Sequence, residues 1–204
     1  MNIQEQIAAN RDFCKSPFAK ERELSDQQKR LPQPPLCKPA QSERRILLGR
    51  DFRSVMTQTD FFTILQKRTS QRFYRDEEMS LEQLSFLLWA TQGVKSIRGD
   101  HYATLRTVPS GGARHAFETY LAVRKVAGLS AGVYHYLPLE HALEPVGPLE
   151  NPREQITAAM HGQKWAGGCA VAFLYSFVPY RAEWRYSTSA HRVALIDAGH
   201  VVQN

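Results

Sequence analysis

Apolar residues are sparse along the chain until Ile46-Leu47-Leu48, and beyond that point they fall into local patterns that predict elements one at a time. Thr59-Asp60 precede Phe61, Phe62, Ile64 and Leu65, and Lys67-Arg68 close the run. Acid before and base after suit a helix dipole, so a short helix is predicted. Ser80-Leu81-Glu82-Gln83 reads as a capping box, in which Ser80 takes the N3 amide and Gln83 returns to the cap amide. Leu81, Leu84, Leu87 and Leu88 follow at helical spacing, with Gly93 as the stop. The period then changes. Thr119 to Val126 is rich in β-formers, and Val133 to Tyr136 follows a glycine-containing turn, which predicts a pair of strands. Pro152 opens a short helix over Asn151 to Met160. Cys169 to Tyr175 lacks alternation, which predicts a strand covered on both faces. Ala190, Val193, Ala194, Leu195, Ile196, Val201 and Val202 predict a final helix.

Prolines at 32, 34, 35 and 39 forbid a regular helix there and favour extended chain. Residues 1–50 therefore read as an extended, proline-containing arm lying across a surface, and residues 51–204 as the domain. Strands and helices together predict an α+β or α/β class.

With 43% apolar and 23% charged residues in 204, the composition supports a globular core and excludes collagen-like or wholly disordered chains. The longest apolar-leaning stretch, Cys169 to Val178, is about half the roughly 20 residues a bilayer-spanning helix needs. No membrane partner is expected. The start has no apolar segment after a basic one, and three cysteines (14, 37 and 169) show no CxxC spacing. A cytoplasmic protein with structural thiols is the expectation. Net charge is +6, and residues 1–50 carry ten Lys/Arg against six Asp/Glu. A solvated basic arm accounts for that imbalance without a nucleic-acid partner.

Seven histidines lack HxxxH or HExxH spacing, so no metal site is expected. There is no GxSxG, Walker loop or GxGxxG. Two features remain. In Arg68-Thr69-Ser70-Gln71-Arg72, two guanidinium groups four residues apart flank two hydroxyl donors. Such groups converge on a phosphate when a turn presents them, although basic residues also simply close helices. About forty residues on, Pro109-Ser110-Gly111-Gly112 offers a turn without bulky side chains, open to a planar ligand or merely a loop.

Taken in order, the two features resemble the SagB/ThcOx-type dehydrogenase branch of the flavin-dependent nitroreductase superfamily. The matching stretches are SDQQKRLPQPPLCKP (25–39), KRTSQRFY (67–74), MSLEQLSFLLWATQGV (79–94), RTVPSGGARHAFETYL (106–121), GLSAGVYHYLPLEHALE (128–144) and DAGHVVQN (197–204). The resemblance implies an α+β fold with a central, mostly antiparallel sheet flanked by helices, and an intertwined homodimer with FMN at the subunit interface. It implies that Arg68, Thr69, Ser70 and Arg72 contact the FMN phosphate and ribityl chain. Pro109, Ser110 and Gly111 would lie along the isoalloxazine, with Gly112 as immediate neighbour. The implied chemistry is hydride transfer through flavin N5. It serves either NAD(P)H-driven reduction of small molecules or dehydrogenation of peptide azolines. Relatives use a Lys-Tyr pair for azolines. Its counterpart here is Arg185-Tyr186, which leaves Tyr186 as the catalytic candidate, since a guanidinium is no base near neutrality. Family members continue beyond the last match, so a domain incomplete at its C-terminus is expected. The alternative expectation is a catalytically incompetent member serving as partner or scaffold.

Overall fold

Two local signals in the chain become helices in the computed structural model, which describes residues 2–15 and 23–204. The first is the Ser80–Gln83 box. Ser80 Oγ accepts the Gln83 amide at 3.2 Å, and Gln83 Oε1 accepts the Ser80 amide at 2.9 Å. Helix α3, Leu81–Gln92, starts from that pair and ends at Gly93. The second is Asp60, whose carboxylate accepts the Thr63 amide and caps α2, Phe61–Lys67. An earlier helix, α1 (Ile3–Cys14), forms inside the segment expected to be extended. Its own capping box, Asn2 with Glu5, carries the signal, but with so little apolar content none of its residues is buried.

The sheet has five strands: β1 (Ile46–Leu47), β4 (Phe117–Val123), β5 (Gly132–Leu137), β6 (Ala142–Pro148) and β7 (Val171–Phe177). Their order is β1-β6-β5-β4-β7 and every pairing is antiparallel. Strands β2 (Val94–Arg98) and β3 (Ala103–Arg106) form a separate hairpin. Helices α4 (Pro152–Ala159), α5 (Pro179–Tyr186) and α6 (Ala190–Gln203) complete the α+β arrangement. Pro152 does open α4.

Alternation along β4 divides the core. Leu121 and Val123 meet Leu84 and Leu88 of α3 on one face, together with Tyr134 and Tyr136. Full burial of each of these leucines contributes about 1.5–3 kcal/mol. Ala122 turns to the other face, against Ile156 of α4, Ala166 and Cys169.

Strand β7 corrects one expectation. Among the described residues it is an edge strand, paired with β4 and no other strand, and most of its side chains are partly exposed. Its unbroken apolar run thus marks an edge with incomplete cover and not a doubly covered strand.

The proline-rich segment crosses the Glu118 face of the sheet. Arg181 Nε donates to Pro35 O at 2.8 Å and Trp184 Nε1 to Leu31 O at 3.0 Å. Prolines offer no amides there, and three amides beyond Pro35 reach buried carboxylates. Lys38 N donates to Glu118 Oε1 at 2.7 Å, and the Gln41 and Ser42 amides donate to Glu144 Oε2 at 2.7 and 2.9 Å. His135 bridges the two acids, 3.0 Å from Glu118 and 2.8 Å from Glu144.

Candidate functional site

The glycine turn is built by packing. Gly111–Ala113 forms a single 3-10 turn, with Gly112 at φ 57° and Ala113 at φ 54°. A Cβ on Gly111 would lie 2.3 Å from Val193 Cγ1, and one on Gly112 would lie 2.4 Å from Arg185 Cδ and 2.9 Å from Tyr186 Oη. Both glycines are therefore required by close approach to α5 and α6, and Gly112 also by its left-handed backbone. Buried Asp197 of α6 fastens the turn. Its Oδ2 accepts the Ser110 hydroxyl at 2.6 Å and its Oδ1 the Gly111 amide at 3.0 Å. Ser110 Oγ in turn accepts the His115 amide at 2.9 Å. The Gly112 N–H has no hydrogen-bond partner among the described residues. Pro109 is exposed at the mouth of the turn.

Arg185 and Tyr186 lie beside this turn, as their contacts with Gly112 require. Arg185 Nη1 donates to Tyr102 Oη at 2.8 Å and to Gln27 Oε1 at 3.2 Å. Arg114 is buried between the rings of Tyr102 and Trp184 and donates to Gly112 O and Tyr102 O. Desolvation works against a tyrosinate at Tyr102. The Gln27 hydrogen bond and the two arginine charges outweigh it, so its pKa lies below that of an ordinary tyrosine.

The basic cluster occupies a different place. Arg68 is the C-cap of α2, and Arg68, Thr69, Ser70 and Arg72 are all exposed. Gln71 Nε2 donates to Thr69 Oγ1, and Arg72 lies 5.9 Å from the Trp165 ring, on which Tyr74 also stacks. Among the described residues no carboxylate lies within 4.0 Å of the Arg68 or Arg72 guanidinium, whereas neighbouring Arg75 and Arg124 are both ion-paired. No hydrogen bond, ion pair or ring contact joins this cluster to the 109–112 turn among the described residues.

The sequence reasoning missed Asp197. It sits with Ala190, Ala194 and Val201 on the buried stripe of α6, and a carboxylate on an otherwise apolar stripe is the signal that identifies it. It also missed the Glu118–His135–Glu144 bridge, whose members lie far apart in sequence. Among the described residues no group of three His, Cys, Asp or Glu could hold a metal ion.

This arrangement of an antiparallel sheet, flanking helices and a glycine turn locked by the last helix has a family. Residues 65–204 match the Nitroreductase family as a whole, and the chain belongs to it. It is 33% identical over 141 residues to MJ1384 of Methanocaldococcus jannaschii, a protein named as a nitroreductase, covering 69% of this chain and 68% of that one. It is 30% identical over 136 residues to the trifolitoxin-processing protein TfxB of Rhizobium leguminosarum bv. trifolii, covering 62% of this chain and 36% of that one. The crystal structure of a protein from Anabaena variabilis ATCC 29413, assigned as a nitroreductase, shares the fold with a TM-score of 0.65 at 21% identity. That likeness covers 96% of this chain and 36% of the other. The chain thus spans about a third of TfxB and of the Anabaena protein. No helix among the described residues is long and apolar enough to cross a membrane.

Proposed function

We propose that this nitroreductase-family chain is an FMN-dependent oxidoreductase of the SagB/ThcOx type. The observation that carries the reading is the Arg68–Arg72 cluster: two exposed guanidinium groups without a carboxylate partner among the described residues, flanking two hydroxyls. That donor set fits a phosphate monoester. The turn fits a flat ring, because its side-chain directions are filled by α5 and α6 while the Gly112 N–H is left without a partner.

In this reading Arg68 and Arg72 neutralise the phosphate, and Thr69 and Ser70 donate to its oxygens or to the ribityl chain. Pro109, Ser110, Gly111 and Gly112 form the wall against the isoalloxazine. Bound FMN supplies hydride acceptance and release at N5. In this reading the functional unit is a homodimer, with residues of a second copy completing each site. Exposed apolar residues support a large interface: Phe61 and Phe62 on α2, Phe73 (94% exposed), and Leu195, Ile196 and Val202 on α6. Residues 31–42, within the N-terminal arm, act as the strap that braces the sheet.

Tyr186 is the proposed group for moving a proton, held at its hydroxyl oxygen beside Gly112. Arg185 orients the site without serving as base, since a guanidinium keeps its proton near neutrality. In this reading the substrate is a peptide azoline, in keeping with the likeness to a toxin-processing protein, or a small molecule reduced with NAD(P)H, in keeping with the likeness to a protein named as a nitroreductase. Three free cysteines accord with a reducing, cytoplasmic setting.

The test is the visible spectrum of the purified chain with added FMN. Flavin co-eluting at roughly one per chain supports the reading. In the Arg68→Ala/Arg72→Ala double variant it should be lost. Flavin retained by that variant removes the phosphate site, and a folded wild-type chain indifferent to flavin favours a partner or scaffold role.

A further inference from the structure

Next to the glycine turn lies a second recess. The β2–β3 hairpin and the Gly112–Ala113 backbone enclose a cleft of about 660 Å³, lined by Arg98, Tyr102, Leu105, Ala113 and Arg185 among others. We propose that this cleft binds the carboxylate of an amphiphilic, anionic substrate; its role in turnover rests on the flavin reading above, while the binding itself does not.

The argument is a count of donors left over. Arg185 uses Nη1 alone, on Tyr102 and Gln27, so its Nε and Nη2 remain as a fork. A guanidinium fork matches the two oxygens of a carboxylate in geometry and charge. Tyr102 Oη accepts from both Arg185 Nη1 and Gln27 Nε2, each at 2.8 Å. With both lone pairs occupied, its O–H is free only to donate to a third group. The guanidinium of Arg98, exposed at the end of β2, has no hydrogen bond or ion pair among the described residues. Each of these groups has a donor to spare, and the one lining acceptor, Tyr102 Oη, is already used by Arg185 and Gln27.

The surrounding carboxylates do not answer that charge. Asp100 in the hairpin turn is exposed, does not line the cleft and pairs with neither arginine among the described residues. Asp197 is committed to Ser110 and Gly111, Glu183 to His191, and Asp26 to Tyr180 and Lys29. Leu105 and Ala113 add apolar lining beside the donors, which suits a carboxylate carried on an apolar or aromatic body and not a bare inorganic ion. The shared wall at Gly112 sets this body beside the turn proposed to face the flavin. Arg185 thereby acquires a binding role.

The experiment is calorimetric titration of the purified chain, as isolated, with benzoate and with the neutral isostere benzamide. Benzoate should bind at least tenfold tighter than benzamide. Arg185→Gln and, separately, the exposed Arg98→Gln should each weaken benzoate by tenfold or more and leave benzamide unchanged, with circular dichroism showing a retained fold. Equal binding of the two probes, or benzoate binding that survives both substitutions together, overturns the proposal. So does inorganic phosphate that displaces benzoate at equal concentration, because the apolar lining would then contribute nothing. A chain that binds benzoate but no flavin upholds the anion site and removes only the redox reading.

Discussion

Asp197 grips the glycine turn through both of its oxygens, taking the Ser110 hydroxyl at 2.6 Å and the Gly111 amide at 3.0 Å. A loop proposed to face a cofactor is thereby tied to the last helix, eighty-seven and eighty-six residues away in sequence.

Asp197→Asn keeps the shape but turns one acceptor into a donor facing the turn. Hydrogen bonds to charged groups contribute about 1.5–3 kcal/mol each. A loss of that order in unfolding free energy is expected, read as a lower urea midpoint with an unchanged m-value. An unchanged midpoint would show that the turn is held without the carboxylate.

Gly111→Ala places a methyl 2.3 Å from Val193 Cγ1. Overpacking of this kind costs about 1–3 kcal/mol. Adding Val193→Ala removes the opposing methyls and should restore part of that stability, so the double variant is more stable than the sum of the singles predicts. Strict additivity in denaturant titrations would place the strain elsewhere.

Glu144→Gln should loosen the strap. Oε2 of Glu144 takes two amides, from Gln41 and Ser42, and Oε1 meets His135. A neutral amide cannot serve all three, and the charge is lost. Faster deuterium uptake over residues 37–48 and earlier tryptic cleavage at Arg44 and Arg45 are the expected readouts. Protection equal to wild type would count against the carboxylate anchor.

Stability should peak near pH 6.5, for reasons of opposite sign on the two sides. Burial, with the charge of Arg106, pushes His115 down to about 3, and burial with the charge of Arg50 pushes His141 down to about 4. Below the ordinary histidine value of 6.5 the unfolded chain binds protons that these two refuse. Stability therefore falls with pH by up to about 1.4 kcal/mol per unit for each. Burial alone would raise Glu118 and Glu144, but the His135 hydrogen bonds and the strap amides, with Arg181 at Glu118, outweigh it. Both stay below the ordinary carboxylate range, and their contribution is lost as pH falls through those lowered values. For His135 burial lowers the pKa, and the two glutamates more than reverse it, so its folded value lies above 6.5. Its contribution is complete below 6.5 and is lost as pH rises through that raised value. Urea midpoints from pH 4 to 8 test the peak. His141→Asn, tolerated at φ 52°, should remove one proton from the acid slope; an unaltered slope would assign it to other groups.

Short-range order was legible in the sequence wherever one residue acts on another within a turn of helix. Ser80 with Gln83 and Pro152 at the head of α4 are of this kind, and each forms where its chemistry places it. The Nitroreductase family fold was legible too, through stretches of matching residues. Strand β6 was not, because Pro145, Gly147 and Pro148 break its β-signal, and its pairing with β5 supplies what propensity withholds.

The sequence by itself determined helices α2, α3, α4 and α6, the strand segments of β4, β5 and β7, and the Nitroreductase family. Tertiary structure decided which residues meet. Sheet register sets His135 opposite Glu144 on β6 and opposite Tyr120, two residues along β4 from Glu118, which turns three dispersed side chains into one bridge. Packing sets Arg185 and Tyr186 against Gly112 and places Arg72 of the basic cluster near Trp165. The physical reason is range. Capping and periodicity act over a few bonds, whereas the desolvation and pairing that shape a site act through space, between residues that only the completed fold brings within a few ångströms.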